Sequence, residues 1–222
     1  MKDFDPKKFY ESFRYRQSVD EAWRDSICMM ACSLQNYIAH PKWEEKEALY
    51  MELVKKYSKE DMEGFCKVFA YVQIEMNKNP RDVLGDLYMN LDLGNKKGMG
   101  QVFTPDSVCD LMAMMTIGEV GDTISLNEPA CGGGATLIAA VKRIRSINPD
   151  CEISITAQDL DGLCAQMCFI QLWCLDVEAY VYKCNTLTME VFDSWIRPSL
   201  KPPKHPLRYS CRGELVEDNR ST

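Results

Sequence analysis

The sequence predicts an α/β fold in which a truncated parallel sheet follows an α-helical region. Three observations predict it. The run Thr123-Ile124-Ser125-Leu126 is short and β-branched, and it leads through Asn127-Glu128-Pro129-Ala130-Cys131 to three consecutive glycines, Gly132, Gly133 and Gly134. The apolar run Leu137-Ile138-Ala139-Ala140-Val141 follows, so the segment reads strand, glycine turn, helix. Two further strand-like runs, each after a helical stretch, continue the alternation, and such alternation builds a parallel sheet. Before residue 99 the apolar residues recur instead at helical spacing. These changes divide the chain into a helical region over 1–98, an α/β core over 99–196 and a proline-containing basic tail over 197–222.

Within the helical region, Phe9, Phe13, Trp23, Ile27, Met30, Leu34 and Tyr37 mark apolar faces until Pro41 interrupts. Trp43 to Tyr57 reads as the next helix, with Leu49, Leu53 and Val54 inward and Glu45, Lys46, Lys55 and Lys56 outward. Ser58 or Lys59 opens another through Phe65, Val68, Phe69, Val72 and Met76, and Asn79-Pro80 stops it. The aromatic stripe Phe65/Phe69 reads as core. Asp82 caps a short helix ending near Leu91.

After the polar loop from Asn95 to Gly100, Thr104-Pro105-Asp106 starts a helix with Thr104 as N-cap and Pro105 in the first position. Its expected buried face is Val108, Leu111, Met112 and Met115. Beyond the glycine turn and its helix, Asn148-Pro149-Asp150 is a turn, and Glu152 to Asp159 is the second strand. A helix through Leu163, Met167, Ile170, Gln171 and Trp173 leads to the third strand, Ala179 to Asn185. Phe192-Asp193-Ser194-Trp195 has no continuous β run behind it, so no fourth strand is expected.

Length and composition bound the class. The chain has 222 residues, enough for one domain or one and a half, and 46% hydrophobic residues can supply a core. No apolar run is long enough for a membrane span, and Met1-Lys2-Asp3-Phe4-Asp5 opens polar and acidic, which points to a cytoplasmic protein. Eleven cysteines, an odd number, read as reduced thiols. Cys28/Cys32 and Cys164/Cys168 fall on single helix faces and read as buried apolar pairs rather than a metal site. Residues 99–196 hold 13 acidic and 4 basic side chains, a net of −9. A duplex-binding surface is normally basic, so this half argues against tight DNA binding on its own.

The glycine turn carries the chemistry. Without Cβ atoms it allows close backbone approach, and the helix after it aims its first N–H groups at the ligand. There is no GxxxxGK[ST] pattern, no GxGxxG and no lysine beside the glycines. Glu128, just before the turn, would repel a pyrophosphate and suits a cationic or hydroxyl-bearing ligand. Asp159 ends the second strand 27 residues after Gly132. An acid there can accept two hydrogen bonds from a ribose diol; Asp161 is the alternative, or the cap of the next helix.

Glu128-Pro129-Ala130-Cys131-Gly132-Gly133-Gly134 resembles the DPACGSG loop of N6-adenine DNA methyltransferases, especially the modification subunit of type I restriction systems. In that family the loop binds S-adenosylmethionine (AdoMet). Gly100 to Pro105 resembles the family's GxFFTP segment, Asp82 to Tyr88 its DxLGxxYE helix, Gln158-Asp159 its GQE or GQD, and Cys184 to Thr188 its GDTLT turn. The resemblance covers roughly residues 80–190. It implies a Rossmann-like AdoMet-binding methyltransferase core, with Phe103, Thr104, Glu128, Ala130, Gly132, Asp159 and Asn185 binding the cofactor. By that resemblance Phe103 and Thr104 lie at its amino-acid end, Glu128 meets the methionine amino group or nearby water, and Asp159 holds the ribose. Asn185 stands where the family's aspartate meets the adenine amine, and its side-chain oxygen can take that hydrogen bond.

The family's catalytic NPPF or NPPY loop has no counterpart in this sequence. Lys201-Pro202-Pro203-Lys204 keeps the proline pair but places lysine at both flanking positions and reads as tail. No catalytic residue is therefore assigned. The implied function is that of an AdoMet-binding, DNA methyltransferase-like protein, transferring a methyl group to adenine N6 in DNA if active. The alternative is an inactive AdoMet-binding remnant or scaffold, or half of a split methyltransferase needing a partner chain. A small-molecule or protein methyltransferase with different chemistry is a third reading. The implied partners are AdoMet, DNA weakly or through a partner chain, and a partner subunit or a second copy. A sheet ordered 3-2-1-4-5 would be present only in its first half, leaving the edge of its first strand to be covered.

Overall fold

The computed structural model describes residues 4–37, 41–93 and 103–199. The loop from Asn95 to Gly100, the Gln101-Val102 part of the GxFFTP-like segment, His40, and the tail beyond residue 199 with Lys201 to Lys204 lie outside the described residues.

The helical region starts with α1 (Pro6–Glu11), capped by Asp5, and a 3-10 turn over Ser12–Tyr15. It continues through α2 (Val19–Asn36), α3 (Trp43–Val54), α4 (Lys59–Lys78) and α5 (Val83–Asn90). Local chemistry sets the starts: Ser18 caps α2, Ser58 and Asp61 form a reciprocal capping box on α4, and Asp82 accepts from the Gly85 N–H at α5. Phe9, Tyr10, Phe13, Trp23 and Phe65 interlock as the aromatic core, with the Phe13 and Phe65 rings stacked at 5.8 Å. In α3 the expected faces are partly exchanged. Lys46 is buried, held by Asp193 at 2.9 Å and lying over the Trp195 ring, whereas Leu49 is exposed. The strand that supplies both partners of Lys46 was not expected from the sequence.

That strand completes a four-stranded sheet of order β1-β2-β3-β4. The strands are β1 (Thr123–Glu128), β2 (Glu152–Asp159), β3 (Glu178–Asn185) and β4 (Glu190–Arg197). The first three are parallel, and β4 returns antiparallel beside β3. A turn after Asn185 allows this: Met189 takes φ +60°, and Phe192 to Trp195 then need only pair with an existing edge rather than form a buried run. Helices α6 (Asp106–Thr116), α7 (Ala135–Ile147) and α8 (Gly162–Cys174) flank the sheet.

α8 is buried nearly all round, from Leu163 through Leu172, because it lies between the sheet and the helical region. One apolar core runs from Tyr10 and Trp23 through Phe169 and Ile170 to Ile155, Val181 and Trp195. α6 is turned differently from the expected orientation. It packs on α7 through Cys109 and Ala113 against Ala135 and Ala139, leaving Val108, Leu111, Met112 and Met115 exposed. Small residues win that contact because they let the two helix backbones approach. Nor does Thr104 cap α6: Pro105 holds the N-cap position with no side-chain cap bond.

The two sheet edges differ. On β4, Gln35 from α2 donates to the Ile196 carbonyl at 3.3 Å and accepts from its N–H at 2.6 Å, as a paired strand would. β1, read from sequence as a buried strand, is the other edge, and Thr123, Ser125 and Asn127 on it are exposed. Ile153, Ile155, Ala157, Ala179, Val181 and Trp195 share the buried face, while Ser154, Thr156, Gln158, Tyr180 and Tyr182 share the half-buried opposite face.

The amide clamp on Ile196 makes a prediction. Gln35→Ala leaves both Ile196 backbone groups without their partner and costs about 1–3 kcal/mol, read as a lower urea midpoint at unchanged slope.

Candidate functional site

The glycine turn closes at the carboxyl ends of β1 and β2. Gly132 has φ +52° and Gly134, the N-cap of α7, has φ +100°, a region that L side chains avoid. Gly133 is required for a different reason. A Cβ there would lie 2.7 Å and 2.9 Å from the two carboxyl oxygens of Asp82. The Phe103 ring lies over Gly132, 3.5 Å from where its Cβ would be, and meets Tyr88 edge-on at 5.7 Å.

Two acids bracket the turn. Asp159 Oδ2 accepts from the Gly132 N–H at 2.8 Å, and its Oδ1 accepts from the Asp161 N–H at 2.8 Å. One carboxylate thus links the turn to the start of α8, which Asp161 caps through the Leu163 N–H. Burial raises the Asp159 pKa, opposed by the N–H groups of Asp161 and Gly132. Glu128 accepts from the Ala130 N–H at 3.3 Å and from the Thr136 hydroxyl at 3.1 Å. Ala130 is exposed at the outer bend of the turn, and Cys131 is buried against Cys168.

The structure therefore brings Phe103, Glu128, Ala130, Gly132 and Asp159 to one turn. Thr104 follows Phe103, is exposed, and its carbonyl accepts from the Cys109 thiol at 3.7 Å. Asn185 ends β3. Its side-chain oxygen accepts from the N–H groups of Leu187 and Thr188 at 3.0 and 3.3 Å. The atom expected to meet an adenine amine is thus engaged by its own turn.

From sequence Asp82 reads as a cap and as the start of the DxLGxxYE-like helix, and Gln171 as a helix position, with no site role given to either. Both are buried directly behind the turn. The Gln171 side chain donates to Asp82 Oδ1 at 2.8 Å and to the Gly133 carbonyl at 2.7 Å, and accepts from the Leu84 N–H at 3.1 Å. Among the described residues Asp82 Oδ2 has no hydrogen-bond partner. Burial pushes the Asp82 carboxyl up to about 6, against the bonds from Gln171 and Gly85 and with added repulsion from Asp86 and Asp106. The available sequence signal was a glutamine in the otherwise apolar stretch Phe169-Ile170-Gln171-Leu172.

Beside the turn, an open groove of about 400 Å³ runs along β1 between α6 and α7, lined by Ile124, Leu126, Glu128, Met112, Thr136 and Leu137 among others. A larger cavity of about 620 Å³ lies away from the glycines, between α2, α3 and the β3–β4 pair.

The model of the N-6 DNA methylase family matches residues 79–199, a little over half of the chain. The chain belongs to the N-6 DNA methylase family. The matched stretch holds all the site residues above, from Asp82 to Asn185. Two solved structures are similar to this family member. One is a modification subunit of a putative type I restriction enzyme from Vibrio vulnificus YJ016, at 19% identity and TM-score 0.36, over 63% of this chain and 28% of the other. The second is a putative class I S-adenosylmethionine-dependent methyltransferase from Listeria monocytogenes, at 21% identity and TM-score 0.38, over 72% of this chain and 52% of the other. The chain thus spans from about a quarter to about half of those structures. No curated protein matches it.

Two predictions follow from the packing behind the turn. Gly133→Ala forces the Asp82 carboxyl aside and destabilises by about 1–3 kcal/mol, whereas Gly118→Ala, with nothing within 4 Å of the new methyl, does not. Chemical denaturation of both compares them directly. For Asp82, the folded state holds a proton that the unfolded chain releases near pH 4. Its contribution to stability is complete below that pH and is lost as pH rises through about 6. Stability measured across pH 4 to 7 should fall for the parent relative to Asp82→Asn, by roughly 3 kcal/mol in the difference.

Proposed function

We propose that the chain binds AdoMet at the glycine turn and forms the cofactor-binding part of an adenine-N6 DNA methyltransferase. The observation that carries this reading is the Asp159 carboxylate. It is tied to Gly132 from the end of the neighbouring strand and still has lone pairs open for a diol. Phe103 covers Gly132 as the aromatic wall. Glu128 and Ala130 border the methionine end with Thr104, and Asn185 borders the adenine through its NH2 group. In this reading the cofactor unit is the α/β part over 99–196, continued to Arg197 where β4 ends, with the helices of 1–98 behind it. AdoMet supplies an electrophilic methyl group; the chain's own residues bind and orient it. The acidic balance of this half assigns DNA contact to a weak surface or a partner chain. Among the described residues no helix is long and apolar enough to cross a membrane.

One observation favours a second reading, in which a partner chain supplies the reaction loop. Among the described residues no strand pairs with the outer side of β1, which borders a largely apolar groove, whereas the opposite edge is closed by Gln35. Methyl transfer from labelled AdoMet to DNA that occurs only after a second gene product is added would establish it.

Calorimetric titration with AdoMet tests the main reading, and micromolar binding is expected. Asp159→Ala should weaken it by about 1.5–3 kcal/mol, roughly ten- to a hundredfold. Unchanged affinity would remove Asp159 from the ribose.

A further inference from the structure

Gly133 belongs to the turn of the proposed binding site and lies against a buried carboxyl group. Asp82 is 3% exposed, its Oδ1 is shared by Gly85 and Gln171, and its Oδ2 is unpartnered among the described residues and directed at Gly133. Buried polar atoms without partners are rare in folded proteins and mark places where something else is to be accommodated. The Gly133 carbonyl, in turn, is held by the same Gln171 amide that holds Asp82. Any change of charge on Asp82 therefore reaches the turn by two routes, through the Gln171 amide and directly across Gly133.

We propose that Asp82 is a specificity-determining and positioning residue of the glycine turn: with Gln171 it sets the Gly133 carbonyl, and its negative charge favours the cationic cofactor over its uncharged-sulfur product. This rests on the AdoMet reading. AdoMet carries a sulfonium charge that its demethylated product, S-adenosylhomocysteine, lacks. Both carry the same amino-acid and adenosine groups, so only the sulfur distinguishes them electrostatically. An ionised carboxylate behind the turn, in a low-dielectric setting, is offset by the sulfonium and not by the neutral thioether. Ionisation of Asp82 and binding of AdoMet then favour each other. After methyl transfer that coupling vanishes, and product is released more readily.

Asp82 is not the only carboxyl here that burial pushes up: Asp86 beside it and Asp159, which holds Gly132, are raised as well, so the signals that belong to Asp82 are those that Asp82→Asn abolishes. From its own helix and the one after it come Asp86 and Asp106, both acidic, and Cys109; α8 contributes Cys164 and Gln171. Arg81 is engaged by Glu75 and Asp86. The turn itself, from Cys131 to Thr136, contributes no charged side chain.

The test is calorimetric: dissociation constants for AdoMet and S-adenosylhomocysteine with the full chain and with Asp82→Asn, at pH 5.0 and pH 7.5. Asparagine keeps the Oδ1 acceptor for Gly85 and Gln171 and removes the charge. In the parent the preference for AdoMet over product should rise about three- to tenfold between the two pH values, and in Asp82→Asn it should stay flat. A flat preference in the parent, or the same rise in Asp82→Asn, overturns the proposal. Amide NMR of the parent and Asp82→Asn without ligand provides the independent arm. The Gly133 N–H and the Gln171 side-chain NH2 signals should shift with a midpoint near pH 6 in the parent and not in the variant. If neither ligand binds the parent while those signals titrate, the AdoMet reading fails and the positioning role stands. If they do not titrate, the positioning role fails.

Discussion

The side-chain amide of Gln171 is the interaction on which the site depends. It sits on α8, fully buried, and its three hydrogen bonds reach three separate places: the Asp82 cap of α5, the Leu84 N–H inside that helix and the Gly133 carbonyl in the turn. A buried amide is stable only when its donors and acceptor are matched, and leaving one group unpaired costs about 1–3 kcal/mol. Because the partners come from two segments, α5 with its cap and the glycine turn, satisfying the amide fixes both against α8. The helix that carries Gln171 is itself locked by apolar contact on nearly every side. The glycine turn is therefore referenced to the core through one side chain, and Asp159 ties the same turn to the start of α8 from the other end.

The architecture around that hub is asymmetric. Helices and large apolar residues gather on one face of the sheet, while the opposite face presents Ser154, Thr156, Gln158, Tyr180 and Tyr182. One edge is closed by a glutamine that imitates a strand; the other, along β1, carries exposed Thr123, Ser125 and Asn127 next to a groove. An antiparallel strand beside β3 can be short and amphipathic, since it borrows its backbone partners from an edge already in place. A parallel addition beside β1 would need a crossover connection. This asymmetry makes β1, which borders Glu128, the side on which further polypeptide fits best.

Elements with a strong local signature were legible. The strand–glycine–helix unit, the second and third strands, the helix start at Ser58 or Lys59, the cap at Asp82 and the aromatic core of α1, α2 and α4 all follow from period and capping chemistry. Membership of the N-6 DNA methylase family was legible in the same stretch, because the glycine turn and the segments flanking it are short contiguous patterns. Besides the Thr104 cap and the burial of β1, three readings failed for one shared reason. Lys46, the apolar face of α6 and the fourth strand each depend on which partner is nearby, and apolar periodicity does not name the partner.

What the sequence by itself determined is thus the order of elements, the family and the identity of the turn with its acid at the end of β2. These are set by neighbours in the chain, through backbone sterics and hydrogen bonds a few residues apart. Tertiary structure alone decided that β4 turns back beside β3, that α6 packs by its small residues, and that Asp82 and Gln171 stand behind Gly133. Those contacts join residues tens of positions apart, where the outcome rests on competing burial and on which polar groups find a partner once the core has closed.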